Sequence, residues 1–423
     1  MGLRTPQHYV ESLRDGRVTY WDGERIDDIT THPRFRVPIA LTAVDHEYDA
    51  PDYGALRPYR TEEGGEAHRI YQVPTSEADL ATRVELLQHT SIGTAVSGVY
   101  MALMSVKDDV AQVNPQCAAN IERMYRYCRD NDLRAAEVIT DPKGDRKCRA
   151  HEQDDPDLYV RIVDRSFAPA ALNEFDYPAS AHHSMPEGFV VFDDALVPWD
   201  RVFLAGEVQL ASRLAQSLGL WERTGGVIEA VRLSELFVGL AQLVSEHQGK
   251  ERDPVVMNTI AELITYAEML RMSLDYAWRH FEQSPSGMVF PNVLAINAAK
   301  YFYAANFHQT VRHLHDLSGG LVLTLPMEAD LRHPEAGQYI RKYLHTKPDV
   351  DVEDRMRVYN LIRDLTADAY GGWQFVVALQ AGGGLSAQRT MMNRTYDIAR
   401  AKTRALAAAG VKPRTATRQQ AAE

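Results

Sequence analysis

The chain has 423 residues, 45% hydrophobic and 25% charged, the balance of a soluble globular protein long enough for one large core or two to three packed subdomains. A formal net charge of −12 excludes a nucleic acid as the expected partner, because phosphate binding needs a basic footprint that this chain lacks. No run of about eighteen apolar residues offers a membrane span, and MGLRTPQHYV has no apolar core of signal-peptide length, so a cytoplasmic setting without a membrane partner is expected. Cys117, Cys128 and Cys148 have no paired spacing, which fits a reducing compartment, argues against a zinc or iron–sulfur site, and leaves them as ordinary small thiols.

Taken in order, Thr5 to Gly16 reads as a short helix, and the segment through Tyr71 as loops and turns broken by Pro33, Pro38, Pro51, Pro58 and Gly64-Gly65. Thr75-Ser76-Glu77 opens a helix with Leu80, Val84 and Leu87 at helical spacing. Further helices are expected from Ser97 to Val110 and from Pro115 to Asp130, the latter with Ile121, Met124, Tyr125 and Cys128 on one face. Residues 1–133 thus form an amino-terminal helical domain. Residues 134–204 read as a reduced β-unit: a β-like run at Glu137 to Pro142, a strand at Leu158 to Val163, and a strand at Phe189 to Phe192 that Asp193-Asp194 interrupts. Residues 205–410 carry four amphipathic patterns, Val227–Glu246, Pro254–Phe281, Pro291–Leu317 and Val352–Leu379, each predicted as one helix of more than twenty residues and together as a four-helix bundle. The basic stretch 411–423 reads as a disordered tail.

FDYPAS at Phe175–Ser180, VVFDDALVPWDRVFL at Val190–Leu204, the opening YVESLRDGR with DDITTHPRF, and LSGGL at Leu317–Leu321 followed by Leu325-Pro326 resemble the large, oxygenase component of the 4-hydroxyphenylacetate 3-hydroxylases. The resemblance spans most of the chain. It implies a mainly α, acyl-CoA dehydrogenase-like fold with an amino-terminal helical domain, a middle β-domain and a carboxyl-terminal four-helix bundle. It further implies an enzyme that holds reduced FAD, delivered by a separate flavin reductase, against a phenol. The superfamily's 4-hydroxybutyryl-CoA dehydratases are set aside as close models because the cysteines their cluster needs are missing.

Three departures from the family pattern bear on chemistry. The Arg-Ser-Pro-Asp-Tyr motif falls on Val96-Ser97-Gly98-Val99-Tyr100, which keeps the tyrosine and loses the arginine. The family's histidine falls on Glu137, while Thr140-Asp141-Pro142 and Arg146 follow the pattern. Only Asp164 to Glu174 joins the strand at Leu158–Val163 to FDYP, too short for the family's further strands, since each takes about five or six residues. Tyr100 and Glu137 are therefore the expected acid and base, with Val96, Ser97, His182 and His183 lining the substrate. Arg146, Ser318, Gly319 and Gly320 are the cofactor contacts if flavin is kept; a glycine pair after a helix is otherwise a C-cap. His308, His313 and His315 share a helix without a metal-binding carboxylate pattern and are expected to be satisfied structurally, so no metal is expected. Tyr125 and Tyr127 read as core or interface aromatics, and Gly382-Gly383-Gly384 as a flexible turn.

The expected function is that of a secondary-metabolite tailoring enzyme with no cofactor, catalysing a cyclisation, addition or elimination by shape control and acid/base help. The alternatives are a reduced-FAD-dependent two-component monooxygenase acting on a phenol and a non-catalytic binding or scaffold protein. A homodimer or homotetramer is expected in every case.

Overall fold

The computed structural model describes residues 2–136, 162–165, 173–183, 187–189 and 196–411. The amino-terminal segment supplies α1 (Pro6–Ser12), a hairpin of β1 (Thr19–Trp21) and β2 (Glu24–Ile26), α2 (Arg36–Ala43), and a hairpin of β3 (Pro58–Arg60) and β4 (Glu66–His68). Helices α3 (Glu77–Gln88), α4 (Ile92–Ala95), α5 (Val99–Val113) and α6 (Pro115–Asp130) follow, with a 3-10 turn at Val96–Gly98 leading into α5. Strands β5 (Ile162–Arg165) and β6 (Glu187–Phe189) precede α7 (Val208–His247), α8 (Pro254–Arg279), the short pair β7 (Glu282–Gln283) and β8 (Val289–Phe290), and α9 (Val293–Ser318). Short helices α10 (Leu321–Thr324), α11 (Glu328–Arg332) and α12 (Ala336–Leu344) lead to α13 (Val352–Thr366), α14 (Ala369–Gln380), α15 (Leu385–Thr395) and α16 (Ile398–Ala408).

Local chemistry sets the helix starts. Ser76 and Asp79 form a reciprocal capping box for α3. Asn114 accepts from the Cys117 amide with Pro115 at the first position of α6, and Asp253 caps α8 ahead of Pro254.

Among the described residues the β-unit is a four-stranded sheet in the order β2-β1-β5-β6. Half of it comes from the amino-terminal segment expected as loops: β1 pairs parallel with β5, Thr19 opposite Ile162, and β6 closes antiparallel on β5, Val163 opposite Phe189. Pairing between residues so far apart in the chain has no periodicity signal in either stretch.

The bundle differs from expectation in two helices. α7 has 40 residues and begins well before Val227. Its first half packs Trp221 into the amino-terminal core with Met101 and Val106, and its second half packs Phe237, Leu240 and Val244 against Phe307, Leu314 and Tyr359. One helix therefore ties the two helical blocks together, and each fully buried aromatic or aliphatic side chain along it contributes about 1.5–3 kcal/mol. The fourth pattern is two helices: α13 ends at Thr366, Asp368 caps α14 through the Ala369 amide, and at Gly371 a Cβ would lie 2.6 Å from the Thr366 carbonyl carbon. The close backbone approach at Gly371 makes the break possible.

The FDYPAS segment docks the β-unit on the bundle. Buried Asp364 of α13 accepts from the amides of Ala179 and Ser180 at 2.8 and 2.7 Å and from the Ser180 hydroxyl. Asn360 and Arg363 donate to the carbonyls of Phe175 and Asp176, and Asp176 accepts from the Glu328 amide at 3.0 Å.

Candidate active site

Ser91 caps α4 by accepting from the Thr94 amide, and Asp45 in turn accepts from the Ser91 amide and hydroxyl. That anchor fixes the run Val96 to Tyr100. Ser97 is fully buried and its hydroxyl accepts from the Ala135 amide at 2.9 Å; next to it Arg134 Nε donates to Thr94 Oγ1 at 2.9 Å. Segment 133–136 is thereby held against the run that leads into α5. Glu137 follows directly, but Glu137 and Arg146 lie outside the described residues.

Tyr100 sits in the first turn of α5, buried, with its hydroxyl 3.1 Å from Cys128 Sγ on α6. Its ring lies 5.8 Å from that of Tyr71 and 6.3 Å from that of Tyr125. The Tyr125 hydroxyl donates to the Tyr71 carbonyl at 2.6 Å, and the Tyr71 hydroxyl to the Leu133 carbonyl at 2.7 Å. Burial first, then the Cys128 neighbour, push the Tyr100 phenol well above its ordinary value, so it stays protonated at neutral pH. Val96 is half-buried and shares the Tyr100 face of the helix, four residues apart. A cation does approach this run, from the opposite side: buried Arg83 of α3 stands 3.2 Å from where a Cβ at Gly98 would lie, donates to the Ile70 carbonyl at 3.0 Å and stacks over Trp221. Burial lowers its pKa to about 10, so it remains charged at neutral pH.

Behind segment 133–136 lies a buried polar hub whose members are far apart in the sequence. Asp132 has φ 48°, and its Oδ2 accepts from the Arg4 amide (2.9 Å), His46 Nδ1 (2.9 Å) and the Tyr48 hydroxyl (2.8 Å), while Oδ1 accepts from Arg134 Nη1 (2.8 Å). Its hydrogen bond from His46 and the charge of Arg134 overcome burial and hold the Asp132 carboxyl well below the usual carboxylate range. Burial pushes His46 and His68 down, so both are neutral. His68 Nδ1 accepts from the Ile70 amide at 3.0 Å, and the Nε2 atoms of both histidines are buried with no hydrogen-bond partner among the described residues. The only sequence cue was Asn131-Asp132 closing α6, which reads as an ordinary helix end.

The remaining expected site residues sit elsewhere. His182 and His183 are exposed and belong to the bundle side: His182 Nε2 is 3.5 Å from Glu174, and the His183 ring is 5.8 Å from that of Tyr370. No contact among the described residues joins them to Val96, Ser97 or Tyr100. Ser318 donates its hydroxyl to the Leu314 carbonyl, and Gly319, φ 65°, ends α9 as a C-cap with its amide on the His315 carbonyl. A Cβ at Gly319 or Gly320 would meet nothing within 4 Å, so the backbone there is open. His313 pairs with Glu262 at 2.8 Å, His315 bonds Thr366 Oγ1 at 2.6 Å, and His308 packs on Phe375. The Gly382-Gly383 turn, both at positive φ, is shaped around buried Arg223: a Cβ on Gly382 would lie 2.8 Å from Arg223 Cγ.

Comparison with known proteins follows the same outline. Residues 5–168 match the family described as 4-hydroxyphenylacetate 3-hydroxylase N terminal, and residues 211–410 its C terminal counterpart. The chain is 25% identical over 88% of its length to the 4-hydroxyphenylacetate 3-monooxygenase oxygenase component of Thermus thermophilus, 90% of which is covered. It is 24% identical over 97% of its length to the whole 4-hydroxybutyryl-CoA dehydratase/vinylacetyl-CoA-Delta-isomerase of Clostridium aminobutyricum. Among solved structures, the oxygenase component of 4-hydroxyphenylacetate 3-monooxygenase complexed with FAD superposes with a TM-score of 0.85 at 23% identity, covering 96% of this chain and 98% of that one. A 4-hydroxybutyryl-CoA dehydratase from N. maritimus gives 0.85 at 22% identity, covering 99% and 97%. The dehydratases, set aside on their cysteine ligands, are thus as similar in fold as the hydroxylases.

Proposed function

Because this chain belongs to the 4-hydroxyphenylacetate 3-hydroxylase family and has its acyl-CoA dehydrogenase-like fold, we propose that it is a small-molecule enzyme on a flavin-type scaffold whose reaction is proton transfer with shape control. The reaction class is a cyclisation, addition or elimination on a secondary metabolite. The observation that carries this reading is the run Val96 to Tyr100, which keeps a buried, permanently protonated phenol and places an uncharged valine on the same face in the family's arginine position. A phenol held protonated beside an apolar residue can hydrogen-bond a substrate oxygen, and gives up its proton only where that oxygen becomes strongly basic in the reaction. Glu137, one residue beyond the segment tethered to Ser97, is the complementary base.

FAD fits the described residues at one end only. The open space over Gly319 and Gly320 would admit a pyrophosphate close to the backbone, although the Gly319 amide is already bonded to the His315 carbonyl. The ring end has no cation at Val96, and the Ser318 hydroxyl is already bonded within its own helix. No catalytic step is therefore drawn through flavin. The second reading, a two-component monooxygenase using reduced FAD and a separate reductase, is favoured by the open glycine pair and by the relative from Burkholderia cepacia named an FADH(2)-dependent monooxygenase, 24% identical over 88% of this chain.

Titration of the purified protein with FAD, oxidised and reduced, separates the two. The expected result is an unperturbed flavin spectrum at micromolar protein. Binding at micromolar or tighter affinity with a shifted spectrum would replace the proton-transfer reading with the monooxygenase.

A further inference from the structure

Two cations are buried near each other in the bundle, and no carboxylate is bonded to either among the described residues. Lys300 of α9 is 1% exposed and Arg223 of α7 is 6% exposed, a depth at which such side chains are almost always paired. Their hydrogen bonds go to neutral oxygens. Lys300 Nζ donates to the Ala378 carbonyl at 2.6 Å and lies 5.1 Å from the centre of the Tyr303 ring. Arg223 donates through Nε to the Gly382 carbonyl at 2.8 Å and through Nη1 to Asn297 Oδ1 at 2.7 Å, and its Nη2 has no partner among the described residues.

The carboxylate whose charge reaches both cations is that of Glu222, an exposed residue beside Arg223 on α7, and it forms an ion pair with neither. Burial first, then the charge of Arg223, pushes the Lys300 amine down to about 8, and burial lowers Arg223 as well. Both groups are still charged at pH 7, and burying unpaired charge is costly. An arriving oxyanion would remove that cost: the guanidinium offers it a planar fork, the ammonium a point charge. The helix is uncovered on the side from which it would come. Gly225, three residues from Glu222 on the same side of α7, is half-buried with nothing within 4 Å of where a Cβ would stand.

We propose that Arg223 and Lys300 form an oxyanion site, which takes the carboxylate or phosphate group of a small molecule between α7, α9 and the turn at 382–384. The site stands independently of the acid and base roles of Tyr100 and Glu137.

The test melts the full-length protein at pH 7 in sodium phosphate, in sodium benzoate, and in sodium chloride of matched ionic strength. A ligand that binds only the folded state raises the melting midpoint as its concentration rises. The wild type is expected to respond to phosphate or benzoate beyond its response to chloride, and the larger response names the group that the site takes. Lys300→Met removes one of the two charges and is expected to lose that excess. Gly226→Asp supplies a carboxylate from within the chain: a Cβ there would stand 3.5 Å from Lys300 Cε, an ordinary contact. This second variant keeps Lys300 in place, serves if Lys300→Met does not fold, and is also expected to lose the excess. Phosphate stabilises folded proteins by exclusion from their surface, but that effect raises all three proteins alike. The proposal is overturned by a wild type that responds to neither anion beyond chloride, or by an excess that persists undiminished in either variant.

Discussion

Asp132 occupies a left-handed conformation that costs a non-glycine residue about 1–2 kcal/mol, and it is held there because four donors converge on one carboxylate. Two neutral histidines complete this hub, and their neutrality has a consequence for stability. Burial, with Arg134 adding to it, lowers the folded pKa of His68 below the ordinary 6.5; Asp132 opposes this, while His46 and Arg57 reinforce it. For His46, burial and Arg134 lower while Asp132 and Asp45 raise, with burial the larger. The unfolded chain therefore binds more protons than the folded one below about pH 6.5, and stability falls as pH drops through that window and is fully present above it. His68→Asn keeps an acceptor for the Ile70 amide and does not titrate. Thermal melting between pH 8 and pH 5 should show a shallower acid loss in the variant, by about 1.4 kcal/mol for each pH unit separating the folded and unfolded midpoints. An identical slope in the two proteins would remove His68 from the acid response. The catalytic expectation belongs to the same scale. Tyr100→Phe and Glu137→Gln preserve shape while removing the proton-transfer groups, and each should lower turnover of the native substrate by 10²- to 10⁴-fold. If both variants fold and stay within about threefold of wild type, below the range for such groups, neither residue carries the chemistry. At this scale Tyr100 and Ser97 can be singled out because they lie on a recognisable run, whereas the pairing of Tyr100 with Cys128 and the meeting of Asp132, His46 and His68 come about only by tertiary packing.

Elements were legible where their ends carry their own chemistry. α6 begins at Pro115 behind an asparagine cap and ends at Asp130, and α8 begins at Pro254 behind Asp253, both as the residues dictate. The first turns of α7, from Val208, lie outside the predicted span although Leu210, Leu214 and Leu218 recur at helical spacing and pack against the amino-terminal core, because the residues between them are mostly exposed. The division of α13 from α14 escaped notice because apolar spacing continues across it. There Gly371 is the feature that matters: an added methyl would meet the backbone of Thr366, which has no flexible side chain to yield. Gly371→Ala should therefore destabilise the protein by about 1–3 kcal/mol, the usual cost of overpacking, and denaturant unfolding measures it. The FDYPAS clamp gives a second element-scale expectation. Asp364→Ala leaves the amides of Ala179 and Ser180 buried and unpaired at roughly 1–3 kcal/mol each, and limited proteolysis should then cut within 173–183 faster than in wild type. Unchanged cleavage would mean that Asn360 and Arg363 hold the segment alone.

For the whole molecule, a small β-unit between two helical blocks was read correctly, whereas the recruitment of Thr19–Ile26 into its sheet was not, because strand partners far apart in sequence leave no local trace. The bundle poses the last question of scale. Its core is closed within one chain, yet α8 presents Met257, Ile264, Met269, Met272 and Tyr276 outward, each 44–54% exposed. Spacings of seven, eight and four from Met257 through Ile264 and Met272 to Tyr276 keep these on one side of the helix, interleaved with the charged side chains of Glu268, Asp275 and Arg279. Covering that stripe with its counterpart from another copy is the self-complementary arrangement of a two-fold interface. The protein is accordingly expected to be a homodimer or homotetramer assembled through the bundle. Ile264→Glu combined with Met272→Glu places two carboxylates in the apolar seam, where burying unpaired charge is costly, and should drive the assembly toward a single 47.6 kDa chain. Light scattering that finds the wild type already monomeric at micromolar concentration, or the double variant as large as wild type, would show that α8 faces solvent and that its methionine stripe has no partner.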